Sequence, residues 1–377
     1  MTWEIPLFKI YHDKDDINSI EKVIKRGSYW ATGPEIEELE DNISKYIGKR
    51  YAVSFNSGTS ALHCILLAHG INEGEVIVPS FTFISTANSV ILAGAKPVFA
   101  EIEDETYGLE IEDVKEKINN KTKAILPIHY GGCTSKYIGD LKDIAKDNNL
   151  TLIEDAAESL GSKKGGAFAG TFGHSSMFSF CQNKIITSGE GGIILTDIKD
   201  IYQKLLLLRS HGRVEDVENY FSTTKDLDYI QLGYNFRMSS ISAALALSQF
   251  NKIEKIIRMR REKAEYYHKK LSEIKNIKTP EVKSDFFHVY QMYTIQLKDK
   301  ETRDMLQERL EKEKIMTKVY FNPIHLKSYY KKKFGYKKGD LPLTENISDK
   351  VLTIPIYPHM DKEEMDYVIE KIKENCE

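Results

Sequence analysis

The 377-residue chain has only four cysteines, and no two of them form a C-x-x-C pair. The sequence therefore indicates neither a zinc site nor a disulfide framework, and no metal site is expected. A basic excess is also missing, because 53 lysine and arginine residues stand against 56 aspartate and glutamate residues, a formal net charge of −3. Nucleic-acid-binding proteins usually carry a basic excess, so the balance argues against such a partner.

Long apolar runs are missing as well. The longest are the length of a strand, far short of the roughly 20 residues that span a bilayer, and the charged N-terminus lacks the apolar stretch of a secretory signal. With 41% hydrophobic and 29% charged residues, the composition is that of a folded globular chain. We expect a cytoplasmic protein without a membrane partner.

The first two-thirds of the chain alternate short β-rich runs with amphipathic stretches. This alternation predicts βαβ units and a mainly parallel sheet covered on both faces. Several runs are apolar almost throughout, as in strands that are buried on both faces. The predicted strands are 51–55, 75–79, 96–100, 123–128, 151–155, 176–180 and 191–196, and the predicted helices are 35–47, 59–69, 84–94, 111–119 and 138–149.

The pattern changes in the last third. A helical pattern without glycine or proline runs from 241 to about 274. We expect a large α/β domain over residues 1–250 and a smaller α+β domain over residues 251–377. A helix at 15–26 is expected to join the smaller domain or a partner subunit. In the C-terminal part, strands are predicted at 288–297 and 315–320, and helices at 300–313 and 361–375.

Residues 56–63, with the sequence NSGTSALH, follow the first predicted strand. A strand, a glycine-containing turn and a helix start together make an anion site, because free N–H groups and the positive helix end face the ligand. The hydroxyls of Thr59 and Ser60 add donors. Taken alone, an ordinary Ser/Thr helix cap is the more frequent explanation. The segment is neither a Walker motif nor a G-x-G-x-x-G fingerprint.

Glu154 and Asp155 stand at the C-terminal end of a predicted strand. In open α/β sheets ligands bind at that edge, and a carboxylate there suits a protonated ring nitrogen. A helix cap explains Asp155 equally well. His129 and Tyr130 follow another predicted strand, where they either line a pocket or form part of a hydrogen-bonded core.

Lys184 lies in a short loop between two apolar strands and is followed by the turn SGEGG. Burial favours the neutral form of an amine, and a neutral amine can form a Schiff base. A lone lysine is usually a solvated surface charge. Lys184 stands out because an anion-site segment and a strand-end aspartate precede it in the same predicted α/β domain.

These motifs, with others, resemble the fold-type I pyridoxal-phosphate enzymes, and among them the DegT/DnrJ/StrS sugar aminotransferases. The resemblance implies a mainly parallel seven-stranded sheet in a large α/β domain, followed by a smaller C-terminal α+β domain. It extends over nearly the whole chain, through segments 27–40, 56–63, 78–102, 127–132, 154–162, 178–192, 208–213, 233–245, 320–325 and 354–358.

The resemblance assigns a role to each candidate residue. Lys184 matches the lysine that carries pyridoxal 5'-phosphate, and Asp155 matches the acid that pairs with its ring nitrogen. Phe83 takes the place of the aromatic that lies on the ring. Glu158 stands where relatives commonly carry glutamine or histidine near the ring hydroxyl, so its role is open. The expected phosphate cradle consists of Gly58, Thr59, Ser60 and Ser179.

A homodimer is also implied, because Asn235 matches a residue that reaches the phosphate in the neighbouring subunit's site. The expected substrate-side residues are His211, Arg237, Tyr320 and His325. A lysine at position 184 favours transamination, since a branch that dehydrates or deoxygenates the sugar carries histidine there.

The resemblance is strongest to the branch that acts on the C4 ketone of nucleotide-linked 4-keto-6-deoxy sugars, such as perosamine synthases. Glutamate is then the expected donor, with 2-oxoglutarate as its product, and a UDP-, GDP- or dTDP-linked keto sugar is the acceptor. Alternative acceptors are a C3-keto sugar, a cyclitol ketone or an aminoshikimate-type ketone. A non-catalytic regulatory homologue is an alternative of another class, against which the intact Lys184, Asp155 and phosphate segment argue.

Overall fold

A computed structural model describes residues 3–214, 223–224, 226–280 and 283–376. The strands are β1 (Tyr51–Phe55), β2 (Glu75–Pro79), β3 (Lys96–Ala100), β4 (Thr122–Ile125), β5 (Thr151–Asp155), β6 (Lys163–Lys164), β7 (Ala167–Phe168), β8 (Ser175–Ser179), β9 (Gly192–Thr196), β10 (Phe286–Phe287), β11 (Tyr293–Gln296) and β12 (Val351–Ile354). The helices are α1 (Lys14–Arg26), α2 (Pro34–Ile47), α3 (Gly58–Ala68), α4 (Ile84–Ala93), α5 (Ile111–Lys117), α6 (Ile138–Asp147), α7 (Lys199–Arg209), α8 (Ser240–Phe250), α9 (Ile253–Leu271), α10 (Lys300–Lys312), α11 (Ser328–Phe334), α12 (Pro342–Lys350) and α13 (Lys362–Cys376).

The central sheet has seven strands in the order β1-β9-β8-β5-β4-β2-β3. β9 runs antiparallel to both of its neighbours, and all the other neighbouring pairs are parallel. The chain passes from β2 to β3 through α4, from β3 to β4 through α5 and from β4 to β5 through α6, and such crossovers are what parallel strands need. This arrangement confirms the predicted α/β class and mainly parallel sheet, and it brings the C-terminal ends of the parallel strands to one edge.

The predicted strands and helices of the first two-thirds are all present, with small shifts at their ends. The largest shift is in the run 123–128, where β4 ends early and Ile128 makes only a single bridge to Asp155. α2 begins with Pro34 and ends before Gly48, which has a φ of +88°. Proline at the first helical position and glycine just past the last are ordinary helix boundaries.

The helical pattern predicted over 241–274 is interrupted after α8, at Asn251 and Lys252. Asparagine is a weak interior helix residue, because its side chain competes for backbone hydrogen bonds. The Lys252 ammonium lies 2.6 Å from a carboxylate oxygen of Asp13 and 2.7 Å from one of Asp16. The break in the helix therefore also anchors the N-terminal helix α1 beside α8.

The strand predicted over 288–297 is shorter than expected, since β11 begins only at its sixth residue. The backbone N–H groups of Val289 and Met292 donate to the carbonyls of Gly132 and Gly131, each over 3.0 Å. These residues therefore cross to the loop after β4 instead of lengthening the ladder with β12. The crossing fixes the C-terminal part of the chain beside the sheet edge.

The prediction of a strand over 315–320 is wrong. That segment makes only isolated bridges, from Ile315 to Ile5 and from Lys318 to Thr353. Its two partners lie on different elements, so no continuous ladder can form. The segment is nevertheless held in an extended course across the C-terminal part of the molecule.

Several separate hydrophobic cores stabilise the fold. Buried side chains of α9, β11, α10, β12 and α13 form one core together with Ile5. The first residues of α9, including Ile253 and Ile257, pack instead with a core on the central sheet. The domain boundary at residue 250 stays a prediction. Among the described residues, no helix has the length and apolar character needed to cross a membrane.

Candidate active site

The C-terminal ends of the parallel strands lead into a cavity of about 290 Å³. Its walls come from the loops after β1, β2, β4, β5 and β8 and from the extended segment before α11. The parallel topology thus brings together residues that are far apart in the sequence. The predicted site residues that line it are Gly58, Thr59, Phe83, Asp155, Glu158, Ser179, Lys184 and Tyr320.

Lys184 is paired with Glu158 inside the cavity. The Lys184 Nζ donates to Glu158 Oε1 over 3.2 Å, and the backbone N–H of Gly131 donates to Glu158 Oε2 over 2.9 Å. Only 13% of the lysine side chain and 12% of the glutamate side chain are exposed. Because both glutamate oxygens accept hydrogen bonds, Glu158 holds the amine in one orientation while compensating its charge.

Asp155, the last residue of β5, presents an almost buried carboxylate, with 5% of the residue exposed. Its Oδ2 accepts from the Thr86 hydroxyl over 2.8 Å, and its Oδ1 accepts from the Ala157 N–H over 3.2 Å. Burial raises the pKa of the Asp155 carboxyl, against the opposing effects of these hydrogen bonds and of the Lys184 charge. A cationic partner in the cavity would offset the cost of keeping this carboxylate ionised.

The segment predicted to bind an anion lies at the start of α3, beside the cavity. Ser57 caps the helix, and its Oγ accepts from the Ser60 N–H over 3.1 Å. Ser60 also shares a hydroxyl hydrogen bond of 2.8 Å with Ser57, and it is not one of the residues that line the cavity. Gly58 is packed closely, because a Cβ there would lie 3.3 Å from Ser179. The structure shows the helix cap at this turn, and it places Thr59 in the cavity wall.

Aromatic side chains form another part of the wall. Phe83 precedes α4 and is 59% exposed, and its ring centre lies 6.5 Å from that of Phe321. Tyr320 lies beside Phe321 in the cavity wall, and its carbonyl accepts from the Tyr130 hydroxyl over 2.5 Å. Burial raises the pKa of the Tyr320 phenol. The exposed Phe83 face is free to cover a flat ring bound in the cavity.

His129 touches the cavity, but its ring nitrogens are both engaged. The Ser135 N–H donates to Nδ1 over 3.0 Å, so Nε2 carries the proton and donates to Glu154 over 2.8 Å. Glu154 is fully buried and accepts further N–H groups from Gly170 and Gly173. The structure thus places His129 in a hydrogen-bonded core, the second of the two interpretations that the sequence left open.

Four further predicted residues lie away from this cavity. His325 is fully buried, with its Nδ1 2.7 Å from Ser80 Oγ and its Nε2 3.1 Å from Glu345, and burial lowers the pKa of its imidazole. Asn235 is exposed and bridges to Ser210. The backbone N–H of His211 donates to the carbonyl of Tyr234. The Arg237 guanidinium donates to the Ser210 hydroxyl, and both residues line a second cavity of about 630 Å³. Within one chain, these residues do not meet Lys184.

Two residues of the site were not singled out from the sequence. Thr86 holds Asp155, and the signal for it was a run of serine and threonine just after a predicted strand. Lys318 lines the cavity beside Tyr320. The signal for Lys318 was its spacing of two from Tyr320 in an extended segment, which places the two side chains on the same side.

Comparisons with known proteins show the family of the chain. A model described as the DegT/DnrJ/EryC1/StrS aminotransferase family matches residues 11–373. The GDP-perosamine synthase of Escherichia coli O157:H7 is 36% identical over 352 residues, which cover 92% of this chain and 92% of that protein.

Two solved structures are close in shape. Helicobacter pylori PseC, described as an aminotransferase involved in the biosynthesis of pseudoaminic acid, has a TM-score of 0.90 at 25% identity and covers 100% of this chain and 99% of its own. The sugar aminotransferase CalS13 of Micromonospora echinospora has a TM-score of 0.88 at 27% identity, with 98% and 99% covered.

Fold and site together define the general class, an enzyme with the fold-type I architecture of aminotransferases. Within that class, the chain belongs to the DegT/DnrJ/EryC1/StrS aminotransferase family, because the family match covers nearly its whole length. The family implies the use of pyridoxal phosphate.

Replacing the buried Asp155 carboxylate should show how much its burial destabilises the folded protein. Because the folded-state pKa of Asp155 is raised, the folded state binds more protons than the unfolded state between the two pKa values. Stability therefore falls as the pH rises from the ordinary aspartate pKa towards the raised one. In cofactor-free protein, Asp155→Asn should therefore raise Tm relative to wild type, and this difference should grow as the pH rises above the ordinary aspartate pKa of about 3.9. Thermal unfolding followed by circular dichroism measures this difference.

Asp143→Asn, on the exposed side of α6, is the matched control, and its effect on Tm should stay small throughout. A Tm difference for Asp155→Asn that does not grow with pH would show that burial of the charge is not costly.

Proposed function

We propose that this protein is a homodimeric, pyridoxal-phosphate-dependent aminotransferase that moves the amino group of glutamate onto the C4 ketone of a nucleotide-linked 4-keto-6-deoxy sugar. The observation that carries the proposal is that Lys184 and Asp155 line one cavity, each held by hydrogen bonds, at the edge of a parallel sheet. The names of the relatives support the sugar acceptor.

The residues present fit the cofactor. A buried carboxylate at Asp155 matches a protonated ring nitrogen, and a primary amine at Lys184 matches an aldehyde. The helix start with Thr59 matches a phosphate, because free N–H groups and the positive helix end favour an anion. A Cβ at Gly58 would lie 3.3 Å from Ser179, so the turn leaves little room for a side chain larger than that of glycine. Phe83 supplies an aromatic face for the ring.

When bound, pyridoxal phosphate supplies an electron sink for a carbanion formed beside the substrate nitrogen. Asp155, as an anion, holds the ring nitrogen in its protonated form. With that group bound, the Lys184 Nζ would remove a proton from the donor's α-carbon and would return a proton in the opposite half-reaction. Glu158 Oε1 orients that nitrogen, and Phe83 excludes water from one face of the bound ring.

The acceptor is inferred from relatives. The Escherichia coli relative is a GDP-perosamine synthase, and PseC acts in the biosynthesis of pseudoaminic acid. Both names indicate amination in the synthesis of unusual sugars. For the present chain, this supports an acceptor that carries a sugar ketone, and the segments around Lys184 favour the C4 position.

A panel of acceptors tests the proposed reaction. With glutamate as donor, at least one UDP-, GDP- or dTDP-linked 4-keto-6-deoxy sugar should be aminated, with formation of one 2-oxoglutarate per product. Mass spectrometry of the product and an enzyme-coupled assay of 2-oxoglutarate measure both. Equal turnover of a nucleotide-free cyclitol ketone or an aminoshikimate-type ketone would reverse the choice of acceptor, and no turnover by cofactor-loaded protein would favour a regulatory role.

Borohydride reduction tests the role of Lys184. Reduction should fix the cofactor on the peptide that contains Lys184, because the amine is bonded to the aldehyde carbon. Lys184→Ala should lose the adduct and reduce turnover by about 10²–10⁴-fold, the usual contribution of a proton-transfer group. Lys199→Ala, on an exposed turn at the start of α7, should keep both. Peptide mass spectrometry that finds the adduct on another lysine contradicts the mechanism.

Hybrid dimers test whether the site is shared. If Asn235 completes the phosphate site of the neighbouring subunit, Asn235→Ala should weaken cofactor retention. Mixing Asn235→Ala subunits with Lys184→Ala subunits should then create one intact site per hybrid. Purified, differently tagged hybrids should regain turnover at limiting cofactor concentration. Hybrids as inactive as the Lys184→Ala parent under those conditions would place Asn235 in its own subunit's site. Normal cofactor retention by the Asn235→Ala homodimer would place it in neither site.

A further inference from the structure

The two lysines that line the cavity differ in their ion-pair partners. The lining acids are Asp155, Glu158 and Glu190, and the lining bases are Lys184 and Lys318. The Lys184 amine is joined to Glu158. For Lys318, no carboxylate of the described residues lies within ion-pair distance, and its ammonium sits 4.8 Å from the centre of the Tyr320 ring.

The backbone of Lys318 is held firmly while its side chain is exposed. The Lys318 N–H donates to the Thr353 carbonyl over 3.1 Å, and the Thr353 N–H donates to the Lys318 carbonyl over 2.8 Å. Tyr320 is held in turn by the hydrogen bond from Tyr130. The lysine stem therefore starts from a fixed point on the cavity wall, and the tyrosine ring limits where its ammonium can go.

We propose that Lys318 binds an anionic group of the substrate at the open side of the cavity, an inference that rests on the proposed function. Both substrates of that reaction are anions: the donor carries carboxylates, and the acceptor carries a diphosphate. Three acids line the cavity against two bases, so an anion is repelled unless a cation faces it. Of the two lining bases, Lys318 is the one that no carboxylate of the described residues pairs with, so it is the one that can face the anion.

Lysine suits this task better than a rigid group would. Its ammonium is a compact charge with three donors on a flexible stem, and it can follow either a carboxylate or a phosphate. The donor and the acceptor occupy the cavity in turn, so one movable cation can serve both. Whether it contacts the carboxylate of the donor or the diphosphate of the acceptor is decided by experiment.

Equilibrium binding to the cofactor-loaded enzyme separates these two sources. The probes are 2-oxoglutarate for the carboxylate, and UDP, GDP and dTDP for the diphosphate, titrated by calorimetry. Lys318→Met should weaken binding of at least one class of probe by about 10–100-fold, the usual worth of a charge-assisted hydrogen bond. Lys318→Arg should keep most of the affinity. In steady-state kinetics, KM for the affected substrate should rise while kcat changes little.

Lys332→Met is the matched control, because Lys332 is an exposed lysine on α11 that does not line the cavity. The proposal is overturned if Lys318→Met binds both classes of probe as tightly as Lys332→Met does. The salt dependence of wild-type binding needs no variant. Affinity for the probe that Lys318 contacts should fall as ionic strength rises, and an affinity independent of salt overturns the proposal.

Failure of the proposed function has a different signature. A wild type that binds 2-oxoglutarate but no nucleoside diphosphate argues against a nucleotide-linked acceptor, and the 2-oxoglutarate titration of Lys318→Met still decides the role of Lys318. A wild type that binds neither class of probe overturns both proposals. The Tm and visible absorption of each variant show that any loss of affinity comes from the removed charge and not from lost fold or cofactor.

Discussion

A carboxylate held almost entirely out of water at Asp155 is the interaction on which the organisation of the site depends. Burial destabilises the ionised form of the carboxyl, and hydrogen bonds from the Thr86 hydroxyl and the Ala157 N–H offset part of this destabilisation. The remainder is offset only by a cation inside the cavity. The proposed partner, a cationic ring nitrogen, would supply such a charge and would be held in a fixed orientation by the buried carboxylate.

The same reasoning explains the pairing of Lys184 with Glu158. In a cavity with so little exposed charge, an unpaired amine would be as unfavourable as an unpaired carboxylate. Glu158 compensates the amine and is itself held by the Gly131 N–H, which belongs to the loop that the C-terminal part of the chain crosses. The packing of the C-terminal part is thus linked, through the hydrogen bond from Gly131, to the orientation of the Lys184 nitrogen.

Within a single chain, one of the predicted site residues is largely exposed and three others lie apart from the cavity. Phe83 is largely exposed where a cofactor ring is proposed to lie, and Asn235, His211 and Arg237 lie apart from the cavity that holds Lys184. Both features are in keeping with the proposed homodimer, in which a second copy would cover the exposed face. In that arrangement, the exposed aromatic surface and the distant polar residues have one common explanation.

The sequence by itself determined the elements and the chemistry. Apolar runs bounded by turn residues predicted the strands of the parallel sheet. Lys184, Asp155 and the NSGTSALH segment stood out because they occur together in one predicted α/β domain, and the family resemblance assigned them to the cofactor. Tertiary structure decided what depends on distant contacts. It broke the helical pattern at Asn251, replaced the strand over 315–320 with isolated bridges, and placed His325 in the core. It also gave Asp155 its partner Thr86 and put Lys318 at the cavity, because hydrogen bonds and burial between segments far apart in the chain leave no local pattern in the residues that make them.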